Sequence, residues 1–340
     1  MAQLVLKTSG ALRSFSCPRT SFHQGCWMPD DGAGEDWIAA FAACSGLTEL
    51  DLTLPSWKRF GVLAGFSHLN TLRTSLPSWN DLDALTPLVG LRVLCIDTTA
   101  TPASDEAPVA VTLGQVTRLE WRHYHQSALY AGDHMRCLST FVLPALQAFL
   151  VEWNPCANVY GDRRDNYAVA AHMLAYSFSR TSPDLYTYSV TGVFCGSQPI
   201  FTMHMPESVR HLCLDGDLLP SYTLSGKIQR SVTEITLTTH HVGTVAFVKS
   251  LCFAEAYSDI VLVRIDPDYT IKDRKALSRE LRTSAVFSPG TWAGASSPGT
   301  DGKTLAQSHV DLHADLQQFV PALKQRGITM MDMQGAVVDY

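Results

Sequence analysis

Apolar positions along this chain follow one short template. Leu47-x-x-Leu50-x-Leu52 is followed 22 residues later by Leu69-x-x-Leu72-x-Thr74, and after 22 more by Leu91-x-x-Leu94-x-Ile96. Between these copies, Leu54-Pro55-Ser56-Trp57 is duplicated as Leu76-Pro77-Ser78-Trp79. The template then continues through Val116/Leu119/Trp121, Leu146/Phe149/Val151, Leu185/Tyr188/Val190, Val209/Leu212/Leu214, Val232/Ile235/Leu237, Ile260/Val263/Ile265 and Ile328/Met331/Met333. Leu12, Phe15 and Cys17 read as a degenerate first copy. Successive starts lie 22, 22, 25, 30, 39, 24, 23, 28 and 68 residues apart. Alternation within each copy predicts a short strand.

The segments between copies carry helical spacing instead. Glu35–Cys44 places Trp37, Ile38, Phe41 and Cys44 on one side, and Asp81–Val89 does the same with Leu82, Leu85 and Leu88 behind Asn80 as a cap. Asp165–Phe178, with Tyr167, Ala171, Leu174 and Phe178, is a longer helix. Val242–Ala256 buries Val245, Val248, Leu251 and Phe253. Ile271–Leu281 and Asp311–Leu323 complete the set.

A strand-plus-helix unit cannot bury its apolar face alone. Stacking pairs each strand with the next and aligns Leu50, Leu72 and Leu94 in one column. Each buried leucine then contributes about 1.5–3 kcal/mol. Leu94→Asp is predicted to unfold the stack locally, because an unpaired buried carboxylate is costly. The early spacings fit the leucine-rich-repeat range of roughly 20–29 residues. The predicted fold is therefore α/β: an irregular leucine-rich-repeat solenoid, with a curved parallel sheet on its concave side and short helices on its convex side. One solenoid spans 1–340, with a degenerate N-terminal cap over 1–45 and repeats over 46–267. The helical C-terminal cap covers 268–340, including a Gly/Ser/Pro-rich flexible loop at 288–303 around Trp292.

From Gly46 onward the chain resembles the repeat region of fungal F-box proteins. The resemblance rests on Leu47-Thr-Glu-Leu-Asp-Leu52, Gly90-Leu-Arg-Val-Leu-Cys-Ile96, Val209-Arg-His-Leu-Cys-Leu214 and the closing stretch Asp311–Met333. It implies a substrate-recruiting subunit of a cullin-type ubiquitin ligase that docks on a Skp-type adaptor. The sequence departs from that family twice. The first 45 residues lack the Leu-Pro-x-Glu opening of an F-box. The repeat asparagine, three residues after the last strand apolar, is Asn154 once but Pro55, Pro77, Thr99, Tyr124, Asp217 and His240 elsewhere.

Charge changes the picture by exclusion. A formal net charge of −6 and 17 % charged residues offer no cationic stripe for nucleic acid. No apolar run reaches bilayer-spanning length, so no membrane partner is expected. The nine cysteines form no C-x-x-C pair, and none of the five asparagines begins an N-x-S/T site. No secretory signal is read at the start, and an intracellular location, cytoplasmic or nuclear, is expected.

Strand residues that alternate with the apolar ones face the other side of the sheet. They define a candidate partner-binding row: Glu49, Asp51, Arg73, Arg118, Glu120, Arg122, Glu152, His211, Asp215, Glu234, Arg264 and Asp266. Charge of both signs suits a protein partner. Cys95 and Cys213 alternate onto the same side as candidate accessible thiols.

No catalytic motif is present: no Walker loop, G-x-S-x-G or H-E-x-x-H. His309-Val-Asp-Leu-His313 has two imidazoles at helical spacing but no clear third ligand, so no metal or other cofactor is expected. His123-Tyr-His125 with His134 reads as a polar loop. The leading expectation is a non-catalytic protein-recognition scaffold. The alternatives are a solenoid enzyme acting on a polysaccharide, and a drifted protein without specific function.

Overall fold

The structure is a computed structural model. It describes residues 12–17, 44, 46–52, 66–75, 82, 85–98, 110–123, 137–153, 165–192, 206–215, 231–238, 248–249, 251–252, 259–265, 316–332 and 337. Outside them lie both Leu-Pro-Ser-Trp copies, most of the predicted helices Glu35–Cys44 and Val242–Ala256, and the predicted helix Ile271–Leu281. The 288–303 loop and the histidines 125, 134, 240, 241, 309 and 313 lie outside them as well.

The chain is α/β, dominated by a parallel sheet of eleven strands. The strands are β1 (Ser14–Cys17), β2 (Glu49–Leu52), β3 (Thr71–Ser75), β4 (Val93–Thr98), β6 (Arg118–His123), β8 (Ala148–Trp153), β9 (Thr187–Gly192), β10 (His211–Asp215), β11 (Glu234–Thr238), β12 (Leu262–Ile265) and β13 (Thr329–Asp332), ordered as in the sequence. β5 (Val111–Thr112) and β7 (Phe141–Val142) pair as a second, two-stranded sheet that the repeat template did not anticipate. Two helices are α1 (Asp165–Thr181) and α2 (Val320–Gln325). Among the described residues, no helix is long and apolar enough to cross a membrane.

The chain divides into two compact units, Met1–Glu152 with Ser177–Leu185, and Trp153–Tyr176 with Tyr186–Tyr340. In the first unit the register aligns Phe15, Leu50, Leu72, Leu94 and Leu119 across five strands. Leu50, Leu72, Leu94 and Leu119 are essentially without exposure. The first template position, Leu47, Leu69, Leu91, Val116 and Leu146, is equally buried. At the third position Thr74 replaces an aliphatic residue and is still buried, between Leu52 and Ile96 in register. Phe178 of α1 packs edge-on against Phe149 of β8, with ring centroids 5.1 Å apart.

The same turn precedes strand after strand. Leu47, Leu69, Leu91, Val116, Leu146 and Leu185 each donate their backbone N–H to the carbonyl three residues earlier, on Cys44, Phe66, Leu88, Leu113, Leu143 and Ser182. Those six residues are all buried. The apolar template thus extends three residues upstream, a column the sequence reading missed. Most of these turns are followed by a shared acceptor: the carbonyl of Thr48 takes the N–H groups of Asn70 and Thr71, and that of Asn70 takes those of Arg92 and Val93. Arg92 and Thr117 continue the pattern. These bonds pair the backbone where the chain enters those strands.

The second unit repeats this at Tyr186, Arg210 and Thr233. Its core holds Tyr188, Leu212, Ile235 and Val263 in register, with His172 of α1 edge-on to Tyr188. Its last strand corrects the sequence reading. Met330 pairs with Val263 and is buried, whereas Met331, predicted to be inward, faces the other side beside Arg264. The cause is the end of α2. Gly327 sits at φ 73, donating to Lys324, while Ile328 donates to Leu323. That glycine C-cap returns the chain to the sheet one residue early and shifts the register.

Candidate interaction face

The side of each strand opposite the apolar column carries the polar row, because side chains alternate along a strand. In the first unit, Asp51, Arg73, Cys95 and Glu120 stand in one register line across β2, β3, β4 and β6. Arg73 Nη1 bonds Asp51 Oδ2 at 3.4 Å, and its Nε donates to Cys95 Sγ at 3.4 Å. Cys95 in turn donates to Asp97 Oδ1 at 3.9 Å. A second line runs Arg118–Glu120 at 2.7 Å, Arg122–Glu120 at 2.8 Å and Arg122–Glu152 at 3.2 Å. The Arg118 side chain is 48 % exposed and that of Glu120 only 13 %, so the guanidinium sits outermost over a carboxylate recessed in the face.

Cys95 was expected on this side as an accessible thiol. It is buried, with Arg73 bonded to its sulfur, and Asp97 two residues on is buried too. Burial pushes the Cys95 thiol far up, Asp97 and Glu120 add to this, and Arg73 opposes it. That is the opposite of a reactive thiolate. Cys213 is half-buried.

In the second unit, His211 of β10 lies between two hydroxyls. Its Nδ1 is 3.3 Å from Thr187 Oγ1 on β9, and its Nε2 is 2.8 Å from Thr236 Oγ1 on β11. Burial holds this imidazole below its ordinary pKa, helped by Arg264 and opposed by Glu234. Beside it, Glu234 accepts from the Tyr186 hydroxyl at 2.8 Å and from Arg264 Nη1 at 3.1 Å. Both carboxylate oxygens are therefore engaged. The hydrogen bond to Glu234 raises the Tyr186 pKa.

The structure thus brings Asp51 to Arg73, joins Arg118, Glu120, Arg122 and Glu152, and places Glu234 with Arg264. Glu49 is exposed, and among the described residues it makes no ion pair with the others. Asp215 ends β10, and Asp266 lies outside the described residues. Tyr186 was missed by sequence reasoning. It occupies the turn position filled elsewhere by Thr48, Asn70, Arg92 and Thr117, and an aromatic residue in that mostly polar row was the available signal.

Chemically, this is a row of pre-paired charges and hydroxyls. Among the described residues, no group of three or more His, Cys, Asp or Glu side chains could hold a metal ion. No protein-family model matches this chain, and no curated protein matches it.

Proposed function

We propose that this chain is a non-catalytic recognition scaffold, an irregular leucine-rich-repeat solenoid whose polar sheet face receives a protein partner. The observation that carries this reading is the pairing of side chains on that face, within one strand as Arg118–Glu120–Arg122 and between strands as Asp51–Arg73, Arg122–Glu152 and Tyr186–Glu234–Arg264. Side chains already held by neighbours lose less conformational entropy on binding. Interleaved signs reward one complementary partner and penalise others. The alternating signs do not suit a polyphosphate, which calls for a cationic stripe.

Within this reading, the likeness of the repeats to fungal F-box proteins makes the scaffold an intracellular substrate-recruiting subunit of a cullin-type ligase. A Skp-type adaptor is then a second partner. The test is parallel affinity capture from the native cell with the wild type and with Arg122→Glu and Arg264→Glu variants. Unchanged circular dichroism is required as a folding control. Proteins captured by the wild type and lost from the variants support the face as the contact. Co-capture of a Skp-type adaptor and a cullin supports the ligase role. Identical captures from all three chains refute the face.

A further inference from the structure

We propose that His211 is a proton-operated strut in the sheet face of the second unit: neutral, it clamps β9 to β11, and acidification releases it. Only its consequence for partner binding rests on the function proposed above.

The geometry is that of a cross-brace. β10 lies between β9 and β11, and one ring reaches a hydroxyl on each neighbour, Thr187 at 3.3 Å and Thr236 at 2.8 Å. A neutral imidazole has one donor and one acceptor nitrogen, and a hydroxyl can take either role. The brace is therefore matched when one threonine donates to the ring and the other accepts from it. An imidazolium donates at both nitrogens. The threonine that had donated must then turn its proton elsewhere, and Thr236 is buried.

The charged surroundings are mixed. On β11, Glu234 favours the cation, but its two oxygens already serve Tyr186 and Arg264. Arg264 on β12 opposes it. β9 contributes Thr187, with Tyr186 just before it, and β10 itself carries Cys213 and Asp215, with Arg210 just before it. Burial dominates, and it holds the ring below its ordinary pKa of about 6.5.

The sign follows from linkage. The braced ring binds protons less well than a solvated one. Its advantage is fully present above the ordinary imidazole pKa and is lost as pH falls toward the depressed one. Each pKa unit between the two states multiplies the released-to-braced ratio by about ten over that interval. Release leaves Thr187 and Thr236 without their shared bridge and puts a cation near Arg264. A partner fitted to the neutral face is then released on acidification.

The test uses the full chain without any partner. The His211 ring is titrated by nitrogen NMR, and hydrogen exchange of β9 and β11 is compared at neutral and acidic pH after correction for intrinsic rates. His211 is expected to titrate below free imidazole, and protection of both strands to drop several-fold on acidification. His211→Gln, which keeps a donor and an acceptor but cannot titrate, is expected to abolish that drop. Thr236→Val removes one end of the brace, and it is expected to lower protection of β9 and β11 at neutral pH and to shrink the drop on acidification. The proposal is overturned by a His211 pKa at or above the free value, or by an undiminished drop in either His211→Gln or Thr236→Val. These readouts involve no partner, so they fail or succeed independently of the proposed recognition role.

Discussion

Replacing Leu94 by alanine interrogates the column that holds the first unit together. Leu94 has no exposed surface, and its register neighbours Leu72 and Leu119 have none either. The substitution removes three buried carbons and leaves a cavity between two leucines whose strands are hydrogen-bonded in place. Leu→Ala changes in cores cost about 2–5 kcal/mol, depending on how far the site collapses. β4 is pinned on both sides by β3 and β6, so collapse is limited. We expect a loss of about 3–4 kcal/mol, a shift on the order of several hundredfold in the folded-to-unfolded ratio. Urea titration followed by circular dichroism and tryptophan fluorescence reads this directly, since Trp121 is buried in the neighbouring strand. A loss below about 1 kcal/mol with an unchanged denaturant slope would refute the placement of Leu94. Leu94→Asp, which buries an unpaired carboxylate, is expected to abolish the unit's cooperative transition.

Other expectations follow from the same geometry. Phe66→Ala probes the upstream turn column and should cost about 3–5 kcal/mol by urea titration; a near-neutral result would remove that column from the core. Glu120→Gln leaves Arg118 and Arg122 without their shared anion. Because Arg118 is half exposed, the expected loss is only about 1 kcal/mol, shrinking at high salt. Melting curves at low and high salt check it. Burial raises both the Cys95 and Cys137 thiols, Cys137 to about 12, so neither should alkylate in the native state at neutral pH. Mass spectrometry should find Cys213 labelled before either of them.

Much of the fold was legible because a strand with one buried side must alternate. Leu47, Leu50 and their counterparts through Val263 could be placed from spacing alone, and the structure buries them. The helix at 165–181 was legible from Ala171, Leu174 and Phe178, all buried as predicted. The upstream column was harder to see. Its members are Cys44, Phe66, Leu88, Leu113, Leu143 and Ser182, and a list mixing serine and cysteine with leucine carries little apolar signal. Ser182 is satisfied by a hydrogen bond to the Leu143 carbonyl, which only the folded chain supplies. The small β5/β7 sheet was missed because a two-residue strand has no period to read.

For the candidate face, the alternation rule named which side chains share a side, and Arg73, Glu120 and Arg264 needed nothing more. It could not say which of them touch. Register decides that Arg122 meets Glu152, that Arg73 bonds the Cys95 sulfur, and that His211 reaches threonines on both neighbours. The sequence by itself determined the period, the inward column and the sign of each outward residue, because these are local properties of a pleated chain. Only the tertiary structure decided burial and partnership on the outward side. Side chains that meet there across strands are more than 20 residues apart in sequence, brought within bonding distance by the ladder. The last strand makes the same point. One glycine cap moved Met330 inward and Met331 outward, a one-residue shift that a template with two-residue periodicity cannot foresee.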